Sequence, residues 1–215
     1  MSARVLLAGG GAPAAATADA LTALGHHVTG PFDADPPPDG PAPDLGVVCG
    51  ARAGVDVLRR RLPRGAVVLN CCAPPWESTA RLASRLGRAD LLAVSNPHRA
   101  DESAAEFLHP ELVVLGAATA AAADVADELY RGVAAPRLRT DAATADLLPQ
   151  AVDGYLAVRR AFTDELTALC SALGADIGSV AEALSYDART GRAPLTPAVD
   201  DGAALAERAY RRPAS

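Results

Sequence analysis

Three features of this chain have residue types and spacing that could do chemistry. The first is Gly9-Gly10-Gly11-Ala12-Pro13-Ala14, which fits a Gly-x-Gly-x-x-Gly/Ala turn. There the first glycine permits a tight bend and the second lets a diphosphate approach the backbone. A small third residue, here Ala14, lets the next helix pack closely on its strand. The helix start adds amide donors and the positive end of a dipole, and Pro13 is tolerated in a first turn. The second feature is the set Cys49, Cys71, Cys72 and Cys170. Their spacing fits neither a zinc site nor a disulfide framework, so no metal is expected and they read as reduced thiols of a cytoplasmic protein. The third is the lack of lysine: all 20 Lys+Arg residues are arginine, which removes Schiff-base and lysine general-base chemistry.

The elements that must position these residues can be read from pattern. Arg4–Ala8 is a strand-like run ending at the three glycines. Alanine-rich helix follows to Leu24, with Gly25 as its C-cap, and then a second strand at His27-Val28-Thr29. Pro31–Pro43 is too rich in Pro, Gly and Asp for helix or central strand. Strands are expected at Leu45–Cys49, Ala66–Asn70, Leu91–Val94 and Glu111–Leu115, and helices at Val55–Leu62, Glu77–Leu86 and from about 116 to Tyr130. Pro136–Arg139 is one further short segment. Alternating strands and helices imply an α/β fold, a Rossmann-like parallel sheet with helices on both faces.

From Asp141 the pattern changes. Leu148, Val152, Tyr155, Val158, Phe162, Leu166 and Leu169 recur at three- and four-residue steps, the stripe of one long helix to Leu173. Thr140 or Asp141 suits its N-cap, and Pro149 should kink the helix or start it. Further helices are expected from Ile177 to Leu184 and over Pro197–Arg211. This gives two domains, a dinucleotide-binding-like domain over 1–140 and a helical region over 141–215. So much apolar helix beside a complete sheet points to a homodimer formed through the helix 141–173; folding back on its own sheet is the alternative.

Composition limits the rest. The chain has 215 residues, half of them hydrophobic, and a formal charge of −6. Its basic residues are not clustered, which speaks against nucleic-acid binding. The N-terminus enters a strand directly with no signal peptide, and no apolar run reaches the ~20 residues of a membrane span.

Several phrases resemble the UDP-glucose/GDP-mannose 6-dehydrogenase family. They are Ser95-Asn96-Pro97, Phe107 through Gly116, Asp164-Glu165-Leu166 leading to Cys170, Gly174-Ala175-Asp176 and Asp187-Ala188-Arg189-Thr190-Gly191. The resemblance runs over nearly the whole chain in one order. It implies a Rossmann domain and a central dimerising helical region, with the chain stopping before the family's C-terminal nucleotide-binding domain. It also implies NAD or NADP at Gly9, Gly10, Gly11 and Ala14. The ribose-binding carboxylate expected after the second strand is displaced, since Gly30-Pro31-Phe32 stands there and Asp33 comes one position late. The family's adjoining helix and strand are replaced by the proline-rich loop.

The catalytic correspondences depart further. The family's lysine falls on Pro149, its asparagine on Asp153, the glutamate of its Asn-Pro-Glu on His98, and its water-positioning threonine on Cys72; a second glutamate is retained as Glu102. The Gly-Gly-x-Cys motif that supplies the thiolate is missing, and Cys170 corresponds to a packing cysteine. Four-electron oxidation of a nucleotide sugar is therefore not expected. The resemblance would gather Cys72, His98, Asp101, Glu102 and Asp153 into one polar cluster able to exchange protons, or leave 98–102 as a solvated loop. Three readings stand: an NAD(P)-dependent oxidoreductase making one hydride transfer on a small molecule, a cofactor-independent cyclase, isomerase or lyase of secondary metabolism, and a non-catalytic partner subunit.

Overall fold

The computed structural model describes residues 2–32, 40–49, 54–72, 78–99 and 101–187. In chain order they form β1 (Arg4–Gly9), α1 (Gly11–Ala23), β2 (His27–Phe32), β3 (Leu45–Cys49), α2 (Val55–Arg61), β4 (Val67–Asn70) and α3 (Thr79–Leu86). There follow β5 (Leu92–Ser95), α4 (Ala104–Leu108), β6 (Val113–Gly116), α5 (Ala120–Glu128), β7 (Arg137–Thr140), α6 (Ala142–Leu173) and α7 (Ile177–Tyr186). The chain divides into two compact units, Met1–Pro149 and Gln150–Ser215.

The first unit is a Rossmann-like α/β sandwich. Its seven strands run in the order β2-β1-β3-β4-β5-β6-β7, and β1 to β5 pair in parallel. Successive residues of each strand feed opposite cores, as a period of two requires. Val5 and Leu7 enter the core under α1, α4 and α5, while Leu6 and Ala8 enter the one under α2 and α3. Burial of both faces explains why β3 and β4 are apolar or small throughout, apart from Asn70 at the end. Each fully buried Val or Leu contributes roughly 1.5–3 kcal/mol of transfer free energy.

The wholly parallel sheet that alternation implied needs one correction. β6 meets β5 in the antiparallel sense at Ser95–Gly116, and β7 runs parallel to β6. The link from β5 to β6 contains only the five-residue α4, and an antiparallel return needs no full crossover helix. α4 itself has a legible signal in Ser103-x-x-Glu106, a capping box with both reciprocal bonds formed.

The chain builds outward from β1 to β2 on one side and then to β3 on the other. A crevice beyond the C-terminal ends of β1 and β3 follows from that reversal. Among the described residues β2 is the sheet edge, where Pro31 removes no needed ladder donor; Asp33 and the rest of 33–39 lie outside them.

α6 starts at Ala142, capped by Asp141, whose carboxylate accepts from the Thr144 amide at 2.9 Å and hydroxyl at 2.6 Å. Pro149 therefore lies inside the helix and does not start it; it simply leaves the Ala145 carbonyl without its usual amide donor. The stripe residues Val152, Tyr155, Val158, Phe162 and Leu169 are exposed in a single copy of the chain, whereas Cys170 is buried. The helix expected over Pro197–Arg211 lies outside the described residues.

Candidate functional site

The glycine turn has the shape its sequence implies. Gly9 has φ +132°, and a Cβ there would stand 1.7 Å from the Cys49 carbonyl oxygen, so β1 and β3 close on each other only over a bare backbone. Gly10 is the extended N-cap of α1. Gly11 opens the helix at φ +74°, and a Cβ there would meet nothing nearer than Pro13 Cδ at 3.7 Å. Ala14 is fully buried beneath α1. The turn thus has open space at Gly11 above a base closely packed at Gly9, which suits a diphosphate.

The neighbouring end of β2 is apolar. Phe32 pairs in register with Ala8 and packs against the α2–α3 core. Its Cε2 would lie 2.9 Å from a Cβ on Gly54, the residue that starts α2. An aromatic ring therefore stands at the end of β2, where the resemblance implies a ribose-binding carboxylate.

A polar chain runs from α1 across the ends of the central strands. The Cys49 thiol donates to Thr17 Oγ1 at 3.3 Å, and Cys71 lies close enough to Cys49 for the neighbouring thiol and burial to push its own thiol up. The Cys71 thiol also donates to Asn96 Oδ1 at 3.7 Å. That oxygen also accepts the Tyr130 hydroxyl at 2.5 Å and faces His98 Nε2 at 3.1 Å. His98 stacks on Phe107 at 4.7 Å, and Phe107 on Tyr130 at 5.3 Å. On the far side of the ring, Nδ1 lies 2.9 Å from Glu102 Oε2, which also accepts the Arg99 amide at 3.2 Å.

This network determines where the protons are. Asn96 Nδ2 donates to the Val114 carbonyl at 2.9 Å, so Oδ1 must be the atom turned toward His98. Burial pushes the Tyr130 phenol well above its ordinary range, and it remains a donor, to Asn96. His98 Nε2 therefore carries a hydrogen. Nδ1 then meets a carboxylate oxygen, and a second proton must lie between them. Burial pushes the Glu102 carboxyl up, yet the His98 bond and charge and the Arg99 amide outweigh it and hold the group below the ordinary carboxylate range. Among the described residues nothing bonds Glu102 Oε1. The side chains of His98 and Glu102 are only 14% and 16% exposed, a largely sheltered pair.

Of the residues expected to cluster, only His98 and Glu102 are brought together. Cys72 is turned to the opposite core, where its thiol meets the Val48 carbonyl at 3.7 Å. Successive residues leave a strand on opposite faces, so Cys71 is the thiol beside the site. Asp101 pairs with Arg99 at 3.1 Å in solvent. Asp153 is exposed on α6 in the second unit. Asn96, Tyr130, Phe107 and Cys71 were not singled out for a site. Asn96 lies in the Ser-Asn-Pro phrase, but which of its neighbours it meets depends on the sheet. Among the described residues no three His, Cys, Asp or Glu side chains are arranged to hold a metal ion.

The central-domain profile of the UDP-glucose/GDP-mannose dehydrogenase family matches residues 143–209. The chain is 30% identical over 128 residues to UDP-glucose 6-dehydrogenase TuaD of Bacillus subtilis, 59% of this chain and 28% of that protein. It is 33% identical over 110 residues to the UDP-glucose 6-dehydrogenase of Rhizobium meliloti, 48% of this chain and 25% of that one. Over these stretches the chain is similar to the UDP-glucose/GDP-mannose dehydrogenase family. Its fold is similar to that of a UDP-glucose dehydrogenase from Pyrobaculum islandicum, with a TM-score of 0.69 and 22% identity over 89% of this chain and 58% of that one. A GDP-mannose dehydrogenase from Pseudomonas aeruginosa is similar at a TM-score of 0.64 and 18% identity, covering 86% and 57% of the two chains. The matches span 28% and 25% of those two curated relatives and 58% and 57% of the two solved chains. Pro149, the position that the resemblance sets against the family's lysine, lies inside α6.

Proposed function

We propose that this chain holds a nicotinamide dinucleotide, NAD or NADP, over the Gly9–Gly11 turn and makes a single hydride transfer on a small molecule. The observation that carries this reading is the turn itself, with a base closed by Gly9 and space left open at Gly11. Gly10, Gly11 and the first amides of α1 would hold the diphosphate, and Ala14 lets α1 pack closely enough to present them. The bound cofactor supplies the hydride acceptor or donor. The chain's own part is to move a proton: Glu102 exchanges it with the substrate, and His98 behind it keeps the carboxylate ionised and oriented. With proline in place of the family's lysine, the group left to move a proton is the His98–Glu102 pair, joined at 2.9 Å.

The test is isothermal titration of the full chain with NADH and NADPH to millimolar concentration. Binding of at least one is expected. Gly11→Ala, strained by about 1–2 kcal/mol at its left-handed φ, should fold yet weaken binding by roughly tenfold or more, since a methyl group would enter the diphosphate space. Absence of binding for both cofactors, or unchanged binding by Gly11→Ala, overturns the reading.

Phe32 favours a second reading. Its ring over Gly54 and Ala8 offers a ribose no carboxylate from the end of β2, and the His98–Glu102 pair could then serve cofactor-free isomerisation, elimination or cyclisation. Conversion of a candidate substrate without cofactor, lost in Glu102→Gln, supports it; conversion at an equal rate by that variant removes it. Under either reading we propose a homodimer through the exposed stripe of α6.

A further inference from the structure

We infer that Asp146 is a positioning residue for the His98–Glu102 pair, one carboxylate on α6 that ties down the ends of β4 and β5. Asp146 is buried, and the donors around it are neutral. Its Oδ2 accepts the Thr79 amide at 2.8 Å, and Oδ1 accepts the Thr79 hydroxyl at 2.8 Å and the Ser95 hydroxyl at 2.6 Å. Thr79 Oγ1 in turn accepts Asn70 Nδ2 at 3.1 Å, and Asn70 Oδ1 accepts the Cys72 amide at 3.2 Å. Asn70 and Ser95 are wholly buried. This is separate from capping, because Ser78 caps α3 and Asp141 caps α6.

A buried carboxylate is expensive unless its lone pairs are filled, and an apolar side chain of similar volume is often at least as stabilising. What the carboxylate provides is direction. Three short bonds aim at the last residue of β5 and the first turn of α3, where the Thr79 amide is one of the donors the helix cannot use itself. Through Thr79 the same network reaches the last residue of β4. The residues next in sequence are Cys71 and Asn96, which bond to each other and lie at the hub of the site. The Asn96 amide also donates to the Asn70 carbonyl at 2.9 Å. Asn96 Oδ1 dictates which His98 nitrogen holds its hydrogen, so a small displacement of Ser95 would release that constraint.

The inference rests on the proposed role of the pair, but its test needs neither cofactor nor turnover. The chain is labelled with 15N-histidine, and the ring nitrogens of His98 are assigned through His98→Gln. Asp146→Asn and Ser95→Ala should each replace the fixed Nε2–H pattern with averaged ring signals. Leu58→Ala, in the opposite core, should lower the melting temperature and leave the His98 signals in place. Unchanged His98 signals in folded Asp146→Asn and Ser95→Ala overturn the inference and reduce Asp146 to a structural tie. If Asp146→Asn does not fold, Ser95→Ala, which deletes one bond, decides alone. Loss of the constraint in a chain that binds neither NADH nor NADPH would uphold this inference while the hydride-transfer reading fell.

Discussion

At the scale of single residues, the same side chain does different work according to its neighbours. His26 is buried, with Nδ1 accepting the Ala3 amide at 3.1 Å and Nε2 directed at the Leu129 carbonyl at 3.1 Å; this histidine is spent on structure. His98 is also bonded at both nitrogens, but one partner is a carboxylate with an oxygen to spare. Nearby, Glu106 shows how far local bonds move a carboxyl. The Ser103 amide and hydroxyl, then Arg99, lower it to about 2, and Glu102 is lowered too. A carboxyl depressed in the folded state contributes stability that is present above its unfolded pKa and lost as pH falls through the folded one. Wild type should therefore melt higher than Glu106→Gln at pH 7. The gap should narrow as pH falls from about 4.5 toward 2, as followed by thermal denaturation across pH. A gap that stays constant over that range would show that Glu106 acts without its charge.

At the scale of elements, α6 carries an internal conflict. Its first turn is capped by Asp141 and its second holds Asp146 in the sheet unit, yet Pro149 follows within the same helix. A proline inside a helix costs roughly 3 kcal/mol relative to alanine. Pro149→Ala restores an amide donor for the Ala145 carbonyl and should stabilise the chain by about 1–3 kcal/mol. Chemical denaturation would measure this as a higher midpoint with an unchanged slope; a lower midpoint would mean that the proline geometry is needed by its neighbours. The Pro149–Gln150 boundary between the two units falls at this same step. The Asp141–Leu173 stripe predicted a helix correctly, because a 3.6-residue period survives one missing hydrogen bond.

At the scale of the whole molecule, the unanswered demand is the apolar surface of α6. Tyr155 is 59% and Phe162 49% exposed in the single chain, and large exposed apolar stripes mark interaction surfaces. A two-fold pairing would bury the same stripe on both copies. Light scattering coupled to size exclusion should give twice the chain mass for wild type and one chain mass for a Tyr155→Asp/Phe162→Asp double variant. A wild-type monomer at micromolar concentration would remove the homodimer. Among the described residues no helix is long and apolar enough to cross a membrane.

What the sequence determined by itself is what local chemistry can encode. Glycines at Gly9 and Gly11 imply the turn, alternating and helical periods imply the strands and α6, and phrases such as Ser95-Asn96-Pro97 imply the family. It also named His98 and Glu102, a pair four residues apart. The tertiary structure decided the rest, because it depends on which strand ends become neighbours. Which cysteine faces the site turned on the parity of a strand, and it was Cys71. The antiparallel entry of β6 turned on a short connection. The proton arrangement on His98 turned on Asn96 and Tyr130, the latter 32 residues away in sequence. Asp146 lies 51 residues from Ser95 and 67 from Thr79, and no spacing rule joins positions that meet only when a sheet assembles.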